Sequence, residues 1–415
     1  MAKELKKKFL ITGGKGFLGS AVVKRLLALG YELRLLIRPG SEKTSFYDYL
    51  QKNCHGNFFN ERVFYNLEIY EGDITAPFLG LGQDAYNRLA DETDEVLHCA
   101  AATHFESSRA AELKAVNVHG TENMLRFAAS GRTKRFHYIS TAYVAGRQNG
   151  TVYEEGDLVN VPVFNNEYEK TKFFAEKWVI EYSRNNAIPY TIYRPSIIVG
   201  DSRTGFTCKY DNIYTFAKAM SNLRNGHLTG EMSRRYRRDG TLPGEVLESA
   251  APVRVPGDPD AFVNLVPVDY VADAIIEILS KRETIGKIFH IVNPDPPTIS
   301  ELRDLLISIL EIKGIRLIID GKMDGKRLRS QERLFLRQTR TYYSYLFNKL
   351  RFDSTNTRVA LQDTNIQCPA ISHDIVKILM EYALFHDWGG RKNTSGKEPV
   401  PCERLLSDCK DYVSG

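Results

Sequence analysis

Tyr168 and Lys172 stand at i and i+4 in Tyr168-Glu169-Lys170-Thr171-Lys172, so a helix there puts a phenol and an amine on one face. A phenol in that setting can give a proton or a hydrogen bond to an oxygen that gains negative charge, and the neighbouring ammonium favours phenolate and lowers the phenol pKa. Spacing alone is weak, because Tyr214/Lys218 and Tyr345/Lys349 share it. Only the Tyr168 pair follows closely on a hydroxyl turn at the end of an apolar run, Tyr138-Ile139-Ser140-Thr141-Ala142. A hydroxyl at such a strand end borders the crevice where open α/β sheets bind ligands. We assign that role to Thr141, at the mouth of the turn, rather than to Ser140. Lys172 is also placed to grip a ligand hydroxyl.

A second group of residues points to what would bind there. Gly13, Gly14, Lys15, Gly16, Phe17, Leu18 and Gly19 follow the strand-like run Phe9-Leu10-Ile11 and open a helical pattern. Glycines at a strand-to-helix turn let a pyrophosphate approach the backbone, and the helix start supplies free N–H groups. The expected ligand is a dinucleotide. The next strand, Leu33–Ile37, ends in Arg38 where an acidic residue would hold the ribose hydroxyls of NAD. A guanidinium binds a 2′-phosphate through charge-assisted hydrogen bonds, so NADPH is the expected cofactor. Asp73 follows the third strand and can accept from the adenine amino group; its plainer role is a turn aspartate. Ala100, Ala101 and Ala102 follow the fourth strand and let the cofactor lie against backbone. Asn117 is read as a structural side chain near the site. His98 and His104 flank the alanines, and His104 is the one placed nearer the substrate.

The elements that must position these residues alternate strand and helix through the first 140 residues: strands at Leu67–Tyr70, Val96–Cys99 and Phe136–Ile139, helices at about 83–92 and 109–129. That order means βαβ units and a parallel sheet covered on both faces. Further on, the expected helices are Glu167–Asn185, Asn212–Leu223, Asp269–Lys281 with Asp269 as its cap, Ser300–Leu310 and 374–386. Strands are expected at Tyr190–Tyr193 and Lys287–Val292, loops at 224–256, and a polar, aromatic insertion of no assigned shape at 40–65. The fold class is α/β, a Rossmann-type doubly wound parallel sheet with a smaller, mostly helical C-terminal substrate domain. The expected division is 1–205 plus 257–293 for the NADP-binding part and 206–256 plus 294–415 for the cap.

The chain has 415 residues, 43% of them hydrophobic, and a formal net charge of +5. That suits a large enzyme core and is too mild a tilt for a nucleic-acid binder. The six cysteines have no metal-ligand or redox spacing and read as reduced thiols. The basic N-terminus lacks the apolar stretch of roughly 7–15 residues that a signal peptide needs, and no run of ~18 apolar residues predicts a membrane span. The default expectation is the cytoplasm.

Six segments together resemble the extended short-chain dehydrogenases/reductases, in the thioester reductase and fatty acyl-CoA reductase branch. They are Thr12–Gly19, Gly72–Thr75 with Leu79-Gly80-Leu81, His98–Ala101, Tyr168–Lys172, Arg194–Gly205 and Val266–Ala272. The resemblance covers about residues 8–310. It brings Ile74, Pro195 and Ser196 into the cofactor set. It implies NADPH-driven reduction of an acyl thioester, carried by coenzyme A or a carrier protein, to an aldehyde and in some cases on to an alcohol. Thr141 and Tyr168 would stabilise the oxyanion. The rivals are a nucleotide-sugar epimerase or dehydratase, against which Arg38 counts, a reductase of free carbonyls, and a non-catalytic dinucleotide sensor. Two basic clusters, Arg234–Arg238 and Lys322–Arg340, are candidate docking points for an anionic carrier.

Overall fold

Alternation of side chains along short apolar runs decides the layers. In a computed structural model that describes residues 7–40, 65–155, 162–222, 253–312, 317–319 and 328–390, β1 (Lys8–Thr12) sends Phe9 and Ile11 to one face and Leu10 to the other. β2 (Glu32–Ile37) divides Leu35 and Leu36 in the same way, as β4 (Glu95–His98) divides Leu97 and Val96. With β3 (Leu67–Glu71), β5 (Arg135–Ile139), β7 (Tyr190–Pro195) and β11 (Ile288–Ile291), they form a seven-stranded sheet ordered β11-β7-β5-β4-β1-β2-β3. Every pairing in it is parallel. The chain order reverses beside β1, so the ends of β1 and β4 border a crevice. Full burial of each large apolar side chain contributes ~1.5–3 kcal/mol, and both faces are lined with them.

The expected helices cover these faces. α1 (Phe17–Ala28) packs on one side against α6 (Val268–Ser280). α2 (Gln83–Glu92), α3 (Gly120–Ser130) and α4 (Glu167–Asn185) lie on the other. The expected 109–129 helix is not uniform: a turn of α-helix, Ala110–Leu113, leads into a π-helical stretch, Lys114–His119, before α3 begins. Asp269 does not cap α6. It is buried and accepts from the Ser202 amide (2.9 Å) and hydroxyl (2.6 Å), which staples the Gly200–Gly205 turn to that helix.

A second apolar cluster gathers α5 (213–222), α7 (Ile299–Ile309), α8 (Ser330–Thr339) and α10 (His373–Phe385). α7 starts with a capping box, Thr298 with Glu301. Within the stretch expected as loop, Val253–Val255 forms β9, paired with β12 (Leu317–Ile319). The rest of 224–252 and most of 40–65 lie outside the described residues. Past residue 340 the chain returns to the sheet half: β13 (Leu350–Phe352) pairs with β6 (Gly150–Val152), and α9 (Thr355–Leu361) packs on α6 and β11. Among the described residues no helix is long and apolar enough to cross a membrane.

Two glycines of the first turn are needed for space. A Cβ on Gly13 (φ +72°) would lie 2.6 Å from the Ala100 amide nitrogen, and one on Gly19 would lie 2.1 Å from the Gly13 carbonyl oxygen. Both obstacles are backbone and cannot swing away. Gly19→Ala is therefore expected to destabilise the protein by about 1–3 kcal/mol. Chemical denaturation checks this; an unchanged midpoint would mean that the turn relaxes freely.

Candidate active site

The hydroxyl turn, the Tyr168 helix and the glycine turn meet at the C-terminal ends of the central strands. β5 ends at Ile139, and the two hydroxyls that follow take different paths. Ser140 Oγ donates to buried Glu176 Oε2 (2.5 Å). Glu176 also pairs with the buried Arg194 guanidinium (2.5 Å). Ser140 is thus committed to the core. Thr141 Oγ1 lies 3.4 Å from the Pro195 carbonyl oxygen and faces the Tyr168 phenol, whose pKa it pulls down.

Tyr168 is half-buried on the first turn of α4, which Asn166 caps by accepting from the Glu169 amide (2.9 Å). Burial pushes its phenol pKa well up, while the Thr141 hydrogen bond pulls the other way. The lowering expected from Lys172 therefore does not prevail. Lys172 is itself buried. Its Nζ donates to the Ile139 carbonyl (2.7 Å) and lies 4.2 Å from the centre of the Tyr138 ring. Desolvation holds this amine down to about 7.

Asn117 sits in the π-helical stretch and is buried. It accepts from the Ala102 amide (2.8 Å) and donates to the Ala102 carbonyl (3.0 Å) and to Thr171 Oγ1 (3.0 Å). It therefore ties the alanine loop to the Tyr168 helix. His98 is packed: Nδ1 meets Thr12 Oγ1 (2.7 Å), Nε2 meets Thr121 Oγ1 (3.0 Å), and burial lowers it to about 3, keeping it neutral. His104 turns towards Glu112 (3.8 Å). It is the next residue, Phe105, whose ring meets Tyr168 (5.8 Å).

The dinucleotide residues surround the same crevice. Gly16 starts α1 with no side-chain cap, which leaves the amides of its first turn to a ligand. Lys15 is exposed at that turn, and Phe17 and Leu18 are buried behind it. Arg38 is exposed just past β2 and makes no hydrogen bond or ion pair among the described residues. Asp73 Oδ1 accepts from the Thr75 amide and hydroxyl, both at 2.8 Å, so one carboxylate oxygen serves the turn. Gly80 (φ +70°) packs on the Asp73 amide, and Ile74 packs on Gly120, which explains what Leu79-Gly80-Leu81 does for this loop. Ala100, Ala101 and Ala102 are partly exposed on the rim. Pro195 ends β7, and Ser196 Oγ beside it is buried with no hydrogen-bond partner. A glycine cradle that any Cβ would fill and an orphaned hydroxyl at the opposite end fit a bound dinucleotide.

Residues from the tail complete the wall, and no local motif announces them. The Tyr345 hydroxyl donates to buried Glu169 Oε1 (2.5 Å) and accepts from Asn166 Nδ2 (2.8 Å). Phe105 meets the rings of Tyr342 (5.7 Å) and Tyr345 (6.1 Å) as well as Tyr168. Of the basic clusters, Arg234–Arg238 and Lys322–Arg327 lie outside the described residues. In the second cluster, Arg329 bonds Glu332 together with Arg254 (2.8 and 2.9 Å), so that part holds a buried carboxylate.

Residues 11–275 match the NAD-binding family described as male sterility protein. The chain belongs to that family. It is of the extended short-chain dehydrogenase/reductase type, in the thioester-reductase branch, and has the domain that binds a nicotinamide dinucleotide. It is 24% identical to a linear gramicidin synthase of Brevibacillus parabrevis, over 90% of this chain and 7% of that protein. It is 26% identical to the aldehyde reductase lnaA of Aspergillus flavus, over 90% of this chain and 35% of that protein. The chain thus spans a minor part of these relatives. Its fold is that of the terminal R domain from the myxalamid PKS-NRPS biosynthetic pathway, with a TM-score of 0.71, 24% identity and 92% of each chain covered.

The buried amine makes stability depend on pH. Native Lys172 takes its proton only near pH 7, whereas the unfolded amine holds it to about 10.5. The unfolded state therefore binds more protons in between. Lys172 contributes a stability that is greatest above 10.5 and is lost as pH falls towards 7, at most ~1.4 kcal/mol per pH unit. Lys172→Met is expected to flatten the rise in unfolding free energy between pH 7 and 9.5. Parallel slopes for the two proteins in urea titrations would refute a displaced amine.

Proposed function

We propose that the protein reduces an acyl thioester to an aldehyde with NADPH, the acyl group being presented on a phosphopantetheine arm of coenzyme A or a carrier protein. The observation that carries this reading is that Thr141 faces Tyr168, one helical turn from buried Lys172, in a chain of this family. The gramicidin synthase and R-domain likenesses support a carrier-bound substrate, and the lnaA likeness supports an aldehyde-level product or substrate. Among the described residues, those up to 205 together with 257–293 carry the cofactor, and α5, α7, α8 and α10 form the substrate cap.

Gly13–Gly19 would hold the pyrophosphate of NADPH, Arg38 its 2′-phosphate, and Asp73 and Ile74 its adenine. Ala100–Ala102 would let it lie against backbone, and Lys172, Pro195 and Ser196 would hold the nicotinamide end. When bound, the nicotinamide supplies a hydride. Thr141 and Tyr168 hold the thioester carbonyl oxygen and stabilise the negative charge that it gains. The raised phenol pKa keeps Tyr168 protonated as a donor, and its proton neutralises that oxygen. The resulting thiohemiacetal breaks its C–S bond, giving aldehyde and free thiol. Lys172 fixes the Tyr168 helix against β5.

Oxidation of NADPH in molar excess over protein when S-acyl pantetheine is supplied tests the reading. An epimerase would instead recycle its cofactor without net oxidation. Tyr168→Phe is expected to cut turnover at least about hundredfold while NADPH still binds, because a positioned proton donor is worth ~10²–10⁴. Full turnover would remove Tyr168 from the chemistry. Arg38→Asp is expected to weaken NADPH binding about ten- to hundredfold and to leave NADH binding nearly unchanged; equal losses, measured by fluorescence titration, would show that Arg38 does not read the phosphate.

A further inference from the structure

One side chain of the tail meets each segment that places Thr141 and Tyr168. Tyr345 donates its hydroxyl proton to Glu169 Oε1 (2.5 Å) and accepts from Asn166 Nδ2 (2.8 Å), so its two hydrogen bonds bracket Tyr168 on the first turn of α4. Its ring packs edge-on against Tyr143 (5.3 Å), whose amide donates to Thr141 Oγ1 (3.3 Å). It also stacks on Phe105 (6.1 Å), the ring that meets Tyr168 (5.8 Å).

The bond to Glu169 is the costly one to lose. Glu169 is fully buried, and its other partners are the Asn165 amide (2.8 Å) and Asn165 Nδ2 (3.1 Å). Burial pushes its carboxyl pKa up, and the Tyr345 hydroxyl is foremost among the groups that pull it back. A hydrogen bond to a carboxylate is roughly twice as strong as a neutral one, and a buried carboxylate left without it is penalised. Asn166 is tied in as well. Its Oδ1 caps α4 by accepting from the Glu169 amide (2.9 Å) while its Nδ2 reaches Tyr345, so the tyrosine hydroxyl fixes both ends of the capping amide.

We propose that Tyr345 is a positioning residue: it holds the first turn of α4 and the Thr141 turn together so that the two hydroxyls face one oxygen, and it touches no reacting atom itself. The proposal rests on the thioester reading for the reaction, but not for the placement of Tyr168. A tail that only packed against the sheet half would need the ring alone. The hydroxyl goes instead to a buried carboxylate and to the cap, on either side of Tyr168. Its loss lets that turn shift, and misplacing a reacting group by ~1 Å costs about hundredfold in rate.

The test uses two variants of the full chain. Tyr345→Phe keeps the ring and removes the hydroxyl, and Glu169→Gln weakens the same bond from its other end. Each is prepared with 3-fluorotyrosine in place of Tyr168 for fluorine NMR, and with the natural residue for turnover of S-octanoyl pantetheine. Both are expected to move the fluorine resonance and to lower kcat about ten- to hundredfold. KM for the thioester and Kd for NADPH should stay nearly unchanged, as for a contact that matters only in the transition state. The double variant should lose no more than the worse single one, because both changes break one bond. Cooperative unfolding in urea certifies each variant. If neither passes, Asn166→Ser, which keeps a capping oxygen and loses the donor to Tyr345, is read in their place. An unmoved resonance in folded Tyr345→Phe, losses that add in the double variant, or lowered stability with kcat intact overturns the proposal. If the wild type turns over no thioester, thioester reduction falls, and the fluorine comparison still decides for or against Tyr345.

Discussion

Lys172 Nζ is buried out of reach of solvent, so its hydrogen bond to the Ile139 carbonyl and its place over the Tyr138 ring decide where α4 lies on the sheet. The same helix face carries two more buried attachments, one turn to either side. Glu176 reaches Ser140 and Arg194 at the ends of β5 and β7, and Glu169 reaches Tyr345 of the tail. Residues 169, 172 and 176 follow helical spacing, and each would be costly to leave unpaired. Tyr168 has little freedom on such a helix. Its hydroxyl meets Thr141 because the backbone on both sides of that pair is pinned by neighbours.

This also explains why two adjacent hydroxyls do different work. Ser140 and Thr141 are near equivalents as letters in a strand-end turn. The difference comes from Glu176, whose carboxylate needs a donor and takes the nearer hydroxyl into the core. Nothing local to Ser140-Thr141 could reveal that partner, because it sits on another element.

The local features were the legible ones. The glycine turn, the Tyr168/Lys172 spacing and the strand–helix alternation are short-range patterns, and the parallel sheet follows from them. Asp269 was legible as a helix-start aspartate but not in its role, since its partner Ser202 comes from a distant turn. His104 attracted attention as a titratable residue, yet the adjacent Phe105 makes the contact with Tyr168. Tyr342 and Tyr345 could not be read at all. They lie in an aromatic stretch without a motif, and only the folding of the tail across α4 brings them to the site. Spacing shows the charge that Lys172 brings to Tyr168 but not the burial, which acts on both members of the pair and raises the phenol instead.

The tail is not simply an appendage of the cap. α8 and α10 belong to the cap's apolar cluster, while β13 and α9 belong to the sheet half, and Tyr345 lies between them against α4. Glu154 strengthens the second attachment. It is buried and accepts from the amides of His290 (2.7 Å) and Asn356 (2.5 Å) and from Thr357 Oγ1 (3.1 Å), although burial pushes it up to about 7. Moving the cap away from the sheet would therefore pull on one continuous segment held at both ends, with the Tyr345–Glu169 bond along it. The rings gathered on Phe105 are thus held by the same residues that hold Tyr168. A change in the tail therefore reaches Tyr168 through Glu169, one residue along the same helix.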